Sequence, residues 1–252
     1  DCAIFRLPAS TSNIFANIFC KTKKPFAVEI VIDPWVNFGP RAEGFRLFNM
    51  IYQREWTNVV KTMCAKADGA SYVTAKYLQK LYPPRAYNDE TCFTVNYSSV
   101  ELADGSFAEP RTWAADQKEF VITHASNYFN SYAKGHLTVI KALQLVRQQG
   151  VNARVCFIGD GPLREEFAQK ARELGVGDYV DFTGRLANGD EVRKVMKSSD
   201  LFILPTYAEG IPRVLLEAMS MGLPCLSSPI CGIPEVLKSE YLYDFDDYEG
   251  FA

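Results

Sequence analysis

Leu201-Phe-Ile-Leu204-Pro205-Thr-Tyr-Ala-Glu209-Gly210-Ile211-Pro212-Arg213-Val214-Leu215-Leu216-Glu217-Ala218-Met-Ser-Met221-Gly222-Leu-Pro224 runs from an apolar strand through a turn into a helix and out again. Residues 201–204 form a short unbroken apolar run, the pattern of a strand buried on both faces. Pro212 suits the opening of a helix, and Gly222 followed by Pro224 closes it. Ile211, Val214, Leu215 and Ala218 fall three or four apart and make the stripe that such a helix would bury. Glu209 precedes the helix, at the carboxyl end of the strand. Glu217 lies on the edge of the buried stripe, where a carboxylate is costly unless something bonds it. Ribose hydroxyls are one such partner, because both carboxylate oxygens accept. The amides of Gly210 to Arg213 sit at the positive end of the helix dipole and suit a phosphate. The residues alone also fit a plainer account, in which Glu209 only complements the dipole and Glu217 is solvated.

The same rhythm continues on both sides of this stretch. Strands are predicted at 120–125, 154–159, 179–183, 201–204, 224–227 and 241–243, alternating with helices near 135–149, 162–174, 190–198, 212–221 and 233–238. Strand and helix in alternation with short connections make a parallel sheet covered on both faces. Ligands of such sheets bind beyond the carboxyl ends of the strands, so the turns there carry the chemistry. One of them, Gly159-Asp-Gly-Pro162, brings backbone close and places Pro162 at the start of a helix. Four residues of this kind are equally an ordinary tight turn.

Upstream, residues 26–32 read as a strand closed by Asp33-Pro34, followed by a long helix with apolar residues at Phe45, Phe48, Tyr52, Trp56, Val59 and Met63. Asp68-Gly69 stops that helix, 70–74 is a short strand, and 75–82 is a helix ended by Pro83-Pro84. Residues 85–118 have no clear period. The chain thus divides into 1–85, a linker at 86–118, and 119–252.

Composition narrows the functional class. With 48% apolar and 23% charged among 252 residues, the chain is not disordered. Its best apolar run, 26–32, contains Glu29 and falls far short of the roughly 18 residues of a membrane span. Seven scattered cysteines form no C-x-x-C pair and only two histidines accompany them, which argues against zinc and for reduced, buried thiols in a cytosolic protein. There is no starting Met and no secretory signal, so an internal piece of a longer protein is expected. Residues 1–85 carry 12 Lys+Arg against 6 Asp+Glu, and the remainder carries 15 against 24. The acidic bulk argues against nucleic acid as partner. The basic first third either faces an anionic membrane or acceptor or is an ordinary solvated surface.

Lys134-Gly135, Gly159-Asp-Gly-Pro162, Asp181-Phe-Thr-Gly184, Asp200-Leu-Phe-Ile-Leu-Pro205, the pair Glu209 and Glu217, and Gly232-Ile-Pro-Glu235 occur in one order. The series resembles glycosyltransferase family 4, retaining enzymes of the GT-B fold. The resemblance covers 119–252 closely. It covers 26–85 loosely, through Ala67-Asp-Gly-Ala70 and Thr74. It implies an α/β chain: a Rossmann-like parallel sheet with helices on both faces, preceded by an incomplete second α/β domain on the acceptor side. The implied reaction moves a sugar from a nucleoside-diphosphate sugar to a glycan or lipid-linked acceptor, without metal or other cofactor. The implied setting is the cytoplasm, with peripheral contact at the inner membrane face through the basic N-terminal part. By the same resemblance Glu209 and Lys134 are catalytic, Glu209 holding donor-sugar hydroxyls and Lys134 neutralising the diphosphate. Glu217 holds the ribose, Gly210, Ile211, Arg213 and Val214 line the diphosphate, and Gly161 lets the nucleotide pass closely. Gly184, Arg185 and Leu186 meet the base. Asn127 stands where most members carry an arginine, so Arg213, or else Arg185, is expected to replace that phosphate ligand. The family's earlier strands and its glycine-rich loop are not visible before residue 1, and the piece by itself is expected to be inactive.

Other classes fit less well. A nicotinamide oxidoreductase would use the same sheet, and Asp181 favours it, but Arg164 occupies the place of the third fingerprint glycine. A glycoside hydrolase needs its two carboxylates across one bond, whereas Glu209 and Glu217 would lie about 12 Å apart along a helix. A non-catalytic nucleotide-sugar-binding fragment is the remaining alternative.

Overall fold

The structure, a computed structural model, describes residues 2–39, 44–85, 93–96 and 119–252. Contacts divide these into two units. The first takes the described residues up to 96 together with Ala208–Ile211 and Ile230–Val236. The second takes 119–207, Pro212–Pro229 and Leu237–Ala252.

In the first unit β1 (Ala3–Leu7), β2 (Phe26–Ile30), β3 (Gly69–Tyr72) and β4 (Phe93–Asn96) form one parallel sheet in sequential order. Helices α1 (Ser10–Thr22), α2 (Pro34–Asn37), α3 (Arg46–Lys66) and α4 (Tyr77–Leu81) make the connections. Leu7, Val28, Ile30, Val60, Met63, Cys64, Tyr72 and Leu78 fill the core. Three features differ from the sequence reading. β1 and α1 went unrecognised, because Ser10, Thr11, Ser12 and Asn13 look like loop residues and only Ala16 of α1 is buried. Strand β4 falls inside 86–118, so that stretch is not linker throughout; four residues are too few to show a period. The remainder of 86–118 lies outside the described residues. In α3, Val60, Met63 and Cys64 are buried as a helical stripe, but Phe45 is 80% and Phe48 58% exposed. The stripe therefore packs only along the C-terminal half of α3.

The second unit is a five-stranded parallel sheet in the order β7-β6-β5-β8-β9. Its strands are β5 (Phe120–Tyr128), β6 (Ala153–Asp160), β7 (Val180–Gly184), β8 (Leu201–Leu204) and β9 (Cys225–Ser227). The intervening helices are α5 (His136–Gln148), α6 (Arg164–Glu173), α7 (Gly189–Lys197) and α8 (Arg213–Ser220). Val155, Phe157, Ile203, Val139, Ile140, Leu143 and Phe167 meet at the core between sheet and helices. Each of these strands and helices matches a predicted one within two residues, apart from the longer end of β5. The last two expectations fail. Residues 233–238 make one 3-10 turn, Ile233–Glu235, which ends at Val236. Residues 241–243 give a single bridge, Ser227 to Leu242, in place of a strand. Helices α6 and α8 begin just after Pro162 and Pro212, so neither proline occupies the first helical position.

The strand order reverses direction between β5 and β8. Ligand crevices in open parallel sheets form at that switch point, outside the carboxyl ends of the strands. The segments after β5 and β8 therefore border that crevice.

Candidate functional site

Beyond β5 the chain makes a 3-10 turn, Tyr132–Lys134, and enters α5 through Gly135 at φ +71°. A Cβ at Gly135 would lie 2.2 Å from the Pro205 carbonyl oxygen, so only glycine lets this loop reach the end of β8. The Tyr207 amide donates to the Ala133 carbonyl at 3.2 Å and fastens the two loops. Beneath them His124, fully buried, holds the Lys134 carbonyl from Nε2 at 2.7 Å. Burial drives the His124 pKa down to about 4, and the nearby Lys134 ammonium adds to the fall. The ring is neutral at pH 7 and donates from Nε2. His124 thus holds the loop from beneath, and Lys134 is presented half-buried at the switch point.

Gly159 and Gly161 serve a neighbouring loop. Gly159 sits at φ +128°, and a Cβ there would lie 1.7 Å from the Ser126 carbonyl oxygen. A Cβ at Gly161 would lie 2.5 Å from the Phe129 nitrogen. Phe129 bonds both sides of this turn, its amide to the Asp160 carbonyl at 2.9 Å and its carbonyl to the Leu163 amide at 3.0 Å. The close approach at Gly161 is therefore made by the protein's own backbone. Asn127 and Arg185 are exposed, Leu186 is half-buried, and Gly184 turns the chain at φ +72°.

Helix α8 faces the core with Leu215 and Ala218, while Val214 is half-buried and Arg213 exposed. Glu217 is half-buried, and among the described residues its carboxylate takes no hydrogen bond or ion pair. Burial raises its pKa, with Arg213 and Arg193 opposing the rise. This is the costly carboxylate that the helical spacing identified, and no described residue of its own unit satisfies it.

Glu209, Gly210 and Ile211 belong by their contacts to the first unit. A Cβ at Gly210 would lie 2.3 Å from the Val31 carbonyl oxygen, and Gly210 accepts from the Gly232 amide at 3.1 Å. Cys231, at φ +46°, is buried in the same neighbourhood, and burial pushes its thiol up to about 12, with Asp33 and Glu209 contributing. Asp33, at 2% exposure, takes the Trp35 amide at 2.9 Å and the Tyr77 and Tyr82 hydroxyls. Burial and this carboxylate both push the two phenols above their ordinary range. Glu235 accepts from three successive amides, those of Ala75, Lys76 and Tyr77. Sequence reasoning gave no role to Asp33 or Glu235, because apart from the local Trp35 amide their partners lie 44 to 160 residues away.

The described cysteines form no disulfide. Cys64, Cys225 and Cys231 are buried as expected, but Cys2 is exposed and Cys20 and Cys156 are half-buried; Cys92 lies outside the described residues. Among the described residues no three His, Cys, Asp or Glu side chains gather as metal ligands, and no helix is long and apolar enough to cross a membrane.

The model of the family described as glycosyl transferases group 1 matches residues 119–252, more than half of the chain. The chain belongs to that family. Protein CapJ of Staphylococcus aureus is 28% identical over 246 residues, spanning 96% of this chain and 59% of CapJ. Among solved structures, sucrose-phosphate synthase of Thermosynechococcus elongatus superposes with a TM-score of 0.71 at 16% identity, covering 99% of this chain and 62% of that one. The pneumococcal O-GlcNAc transferase GtfA, solved with UDP and GlcNAc, gives 0.64 at 16% identity, covering 97% and 46%. The two parallel α/β units are thus of the GT-B type, as the sequence resemblance implied. The chain spans about three fifths of its family relative CapJ.

Proposed function

We propose that this chain is the donor-binding part of a retaining glycosyltransferase that uses a nucleoside-diphosphate sugar. The observation that carries the reading is Glu217, half-buried on α8 with no protein partner among the described residues and two arginines nearby. Ribose hydroxyls would donate to both of its oxygens and offset its desolvation. Lys134 at the switch point and the first amides of α8 then meet the diphosphate, with Arg213 standing in for the family's second cationic ligand. Val214 lines the same turn, and backbone at Gly184 to Leu186 faces the base. Glu209 holds the sugar, and the amides of Gly210 and Ile211 join those of α8 on the diphosphate. A leaving nucleoside diphosphate needs fixed positive and dipolar groups where charge develops, and these residue types provide them without metal. The GtfA complex makes uridine diphosphate the first nucleotide to test. A glycan or lipid-linked acceptor fits the basic character of 1–85, which would meet an anionic acceptor or the inner membrane face.

Calorimetric titration with nucleoside diphosphates tests this. Glu217→Ala should weaken the preferred one by about 1.5–3 kcal/mol, the worth of hydrogen bonds to a charged group. An unchanged dissociation constant in the folded variant removes Glu217 from the site. Tighter binding of nicotinamide dinucleotides than of nucleoside diphosphates would return the oxidoreductase alternative.

A further inference from the structure

Gly232-Ile-Pro-Glu235 has no part in the reading above, yet it is tied to the first unit by short bonds. Glu235 Oε2 accepts from the Ala75 amide at 2.6 Å, and Oε1 accepts from the Lys76 and Tyr77 amides at 2.9 and 2.6 Å. Three amides in a row converge on one carboxylate at the entrance to α4. No side chain at the N-cap position, Lys76, caps that helix, so Glu235 supplies the missing acceptor from across the chain. Behind it, the Glu235 amide closes the turn on the Gly232 carbonyl at 3.0 Å.

The same turn reaches the Glu209 segment. The Gly232 amide donates to the Gly210 carbonyl at 3.1 Å. A Cβ on Gly232 would lie 2.5 Å from the Ile211 side chain and 2.6 Å from that of Thr74, so the turn is wedged between them. Thr74 is fixed in turn, its hydroxyl accepting from the Leu78 amide and donating to Gln79 Oε1, both at 2.9 Å. Gly210 and Ile211 therefore pack against a turn that the Glu235 carboxylate ties to the start of α4.

We propose that Glu235 is a positioning residue for sugar transfer: it clamps the 230–236 turn onto the start of α4 and, through Gly232 and Gly210, sets the place of Glu209. This rests on the reading of Glu209 as the residue that holds the donor sugar. Glu235 itself touches no substrate in this scheme. Its effect falls mainly on turnover, whereas nucleotide affinity rests mainly on Glu217, Lys134 and the start of α8 in the second unit.

Two experiments test the clamp. In amide hydrogen exchange on the 252-residue chain, Glu235→Ala should lose protection at 74–77, 208–211 and 230–236 together. Unchanged protection at 208–211 overturns the proposal, whatever the activity. In the full-length parent, Glu235→Ala should lower kcat at least tenfold while nucleoside-diphosphate affinity falls no more than about threefold, and Glu235→Gln, which keeps one acceptor oxygen, should recover part of the loss. Adding Glu235→Ala to Glu209→Gln should cost little more than Glu209→Gln alone, because residues acting as a unit are not additive. Additive losses, a fall in nucleotide affinity equal to that in kcat, or a lower melting temperature with kcat intact would each overturn the clamp. A parent that binds no nucleoside diphosphate would instead sink the transferase reading and leave the exchange result standing.

Discussion

Glu209 and Glu217 are eight positions apart, and the chain assigns them to different surroundings. Glu217 rides on α8 beside Leu215 and Ala218 in the second unit, while Glu209 sits with Gly210 and Cys231 in the first. That separation gives a prediction about division of labour. Glu209→Gln keeps size and removes charge, so if the carboxylate acts as the glycosidic bond breaks, kcat of the full-length parent should fall about a hundredfold. Affinity for the bare nucleoside diphosphate, which lacks a sugar, should barely change. Turnover and calorimetry on the same variant decide the matter, and an equal fall in both makes Glu209 a nucleotide ligand. Glu217 was legible in the sequence because helical spacing alone puts it at the edge of a buried stripe. Asp33 and Glu235 were not, because a carboxylate's worth depends on donors that the chain brings from far away.

Helix α5 enters the second unit's core with an imidazole. His136 is fully buried, stacks on Phe167 with centroids 4.5 Å apart, and has neither ring nitrogen hydrogen-bonded; its ring lies 4.4 Å from that of His124 on β5. Burial lowers the pKa of both, that of His124 to about 4 from 6.5. The sign follows directly. Between pH 6.5 and 4 the unfolded chain binds a proton that folded His124 refuses, so stability is retained above pH 6.5 and falls as pH drops towards 4. The loss from His124 alone should reach about 3 kcal/mol by pH 4. Urea unfolding as a function of pH measures it, and His136→Phe should make the acid limb shallower. Proton NMR offers a second reading: neither imidazole should titrate between pH 8 and 5, and a midpoint near 6.5 would show the rings to be solvated. The strands and helices of this unit were readable, since buried parallel strands are continuous apolar runs bounded by glycine and proline. α3 misled because its stripe is real in spacing, yet Phe45 and Phe48 stay exposed.

At the scale of the whole molecule, the positions proposed to meet the diphosphate offer cations, amides and helix ends. Activity of the full-length parent should therefore survive exhaustive dialysis against EDTA, with magnesium or manganese adding less than about twofold. Loss that either ion restores would overturn the metal-free reading of the leaving group's stabilisation. The sequence by itself determined the doubly covered parallel sheet of the second unit, the turns at its strand ends, the helix that carries Glu217, and the family resemblance. Those features are local: a run, a period and a breaker within some 20 residues set them. Tertiary structure decided what distance hides: the pairing of β4 with β3, the filling of the Gly161 cleft by Phe129, the burial of Asp33 under two tyrosines, and the grip of Glu235 on the α4 amides. Hydrogen bonds and close packing belong to pairs of groups, and a single chain position records only one member of each pair.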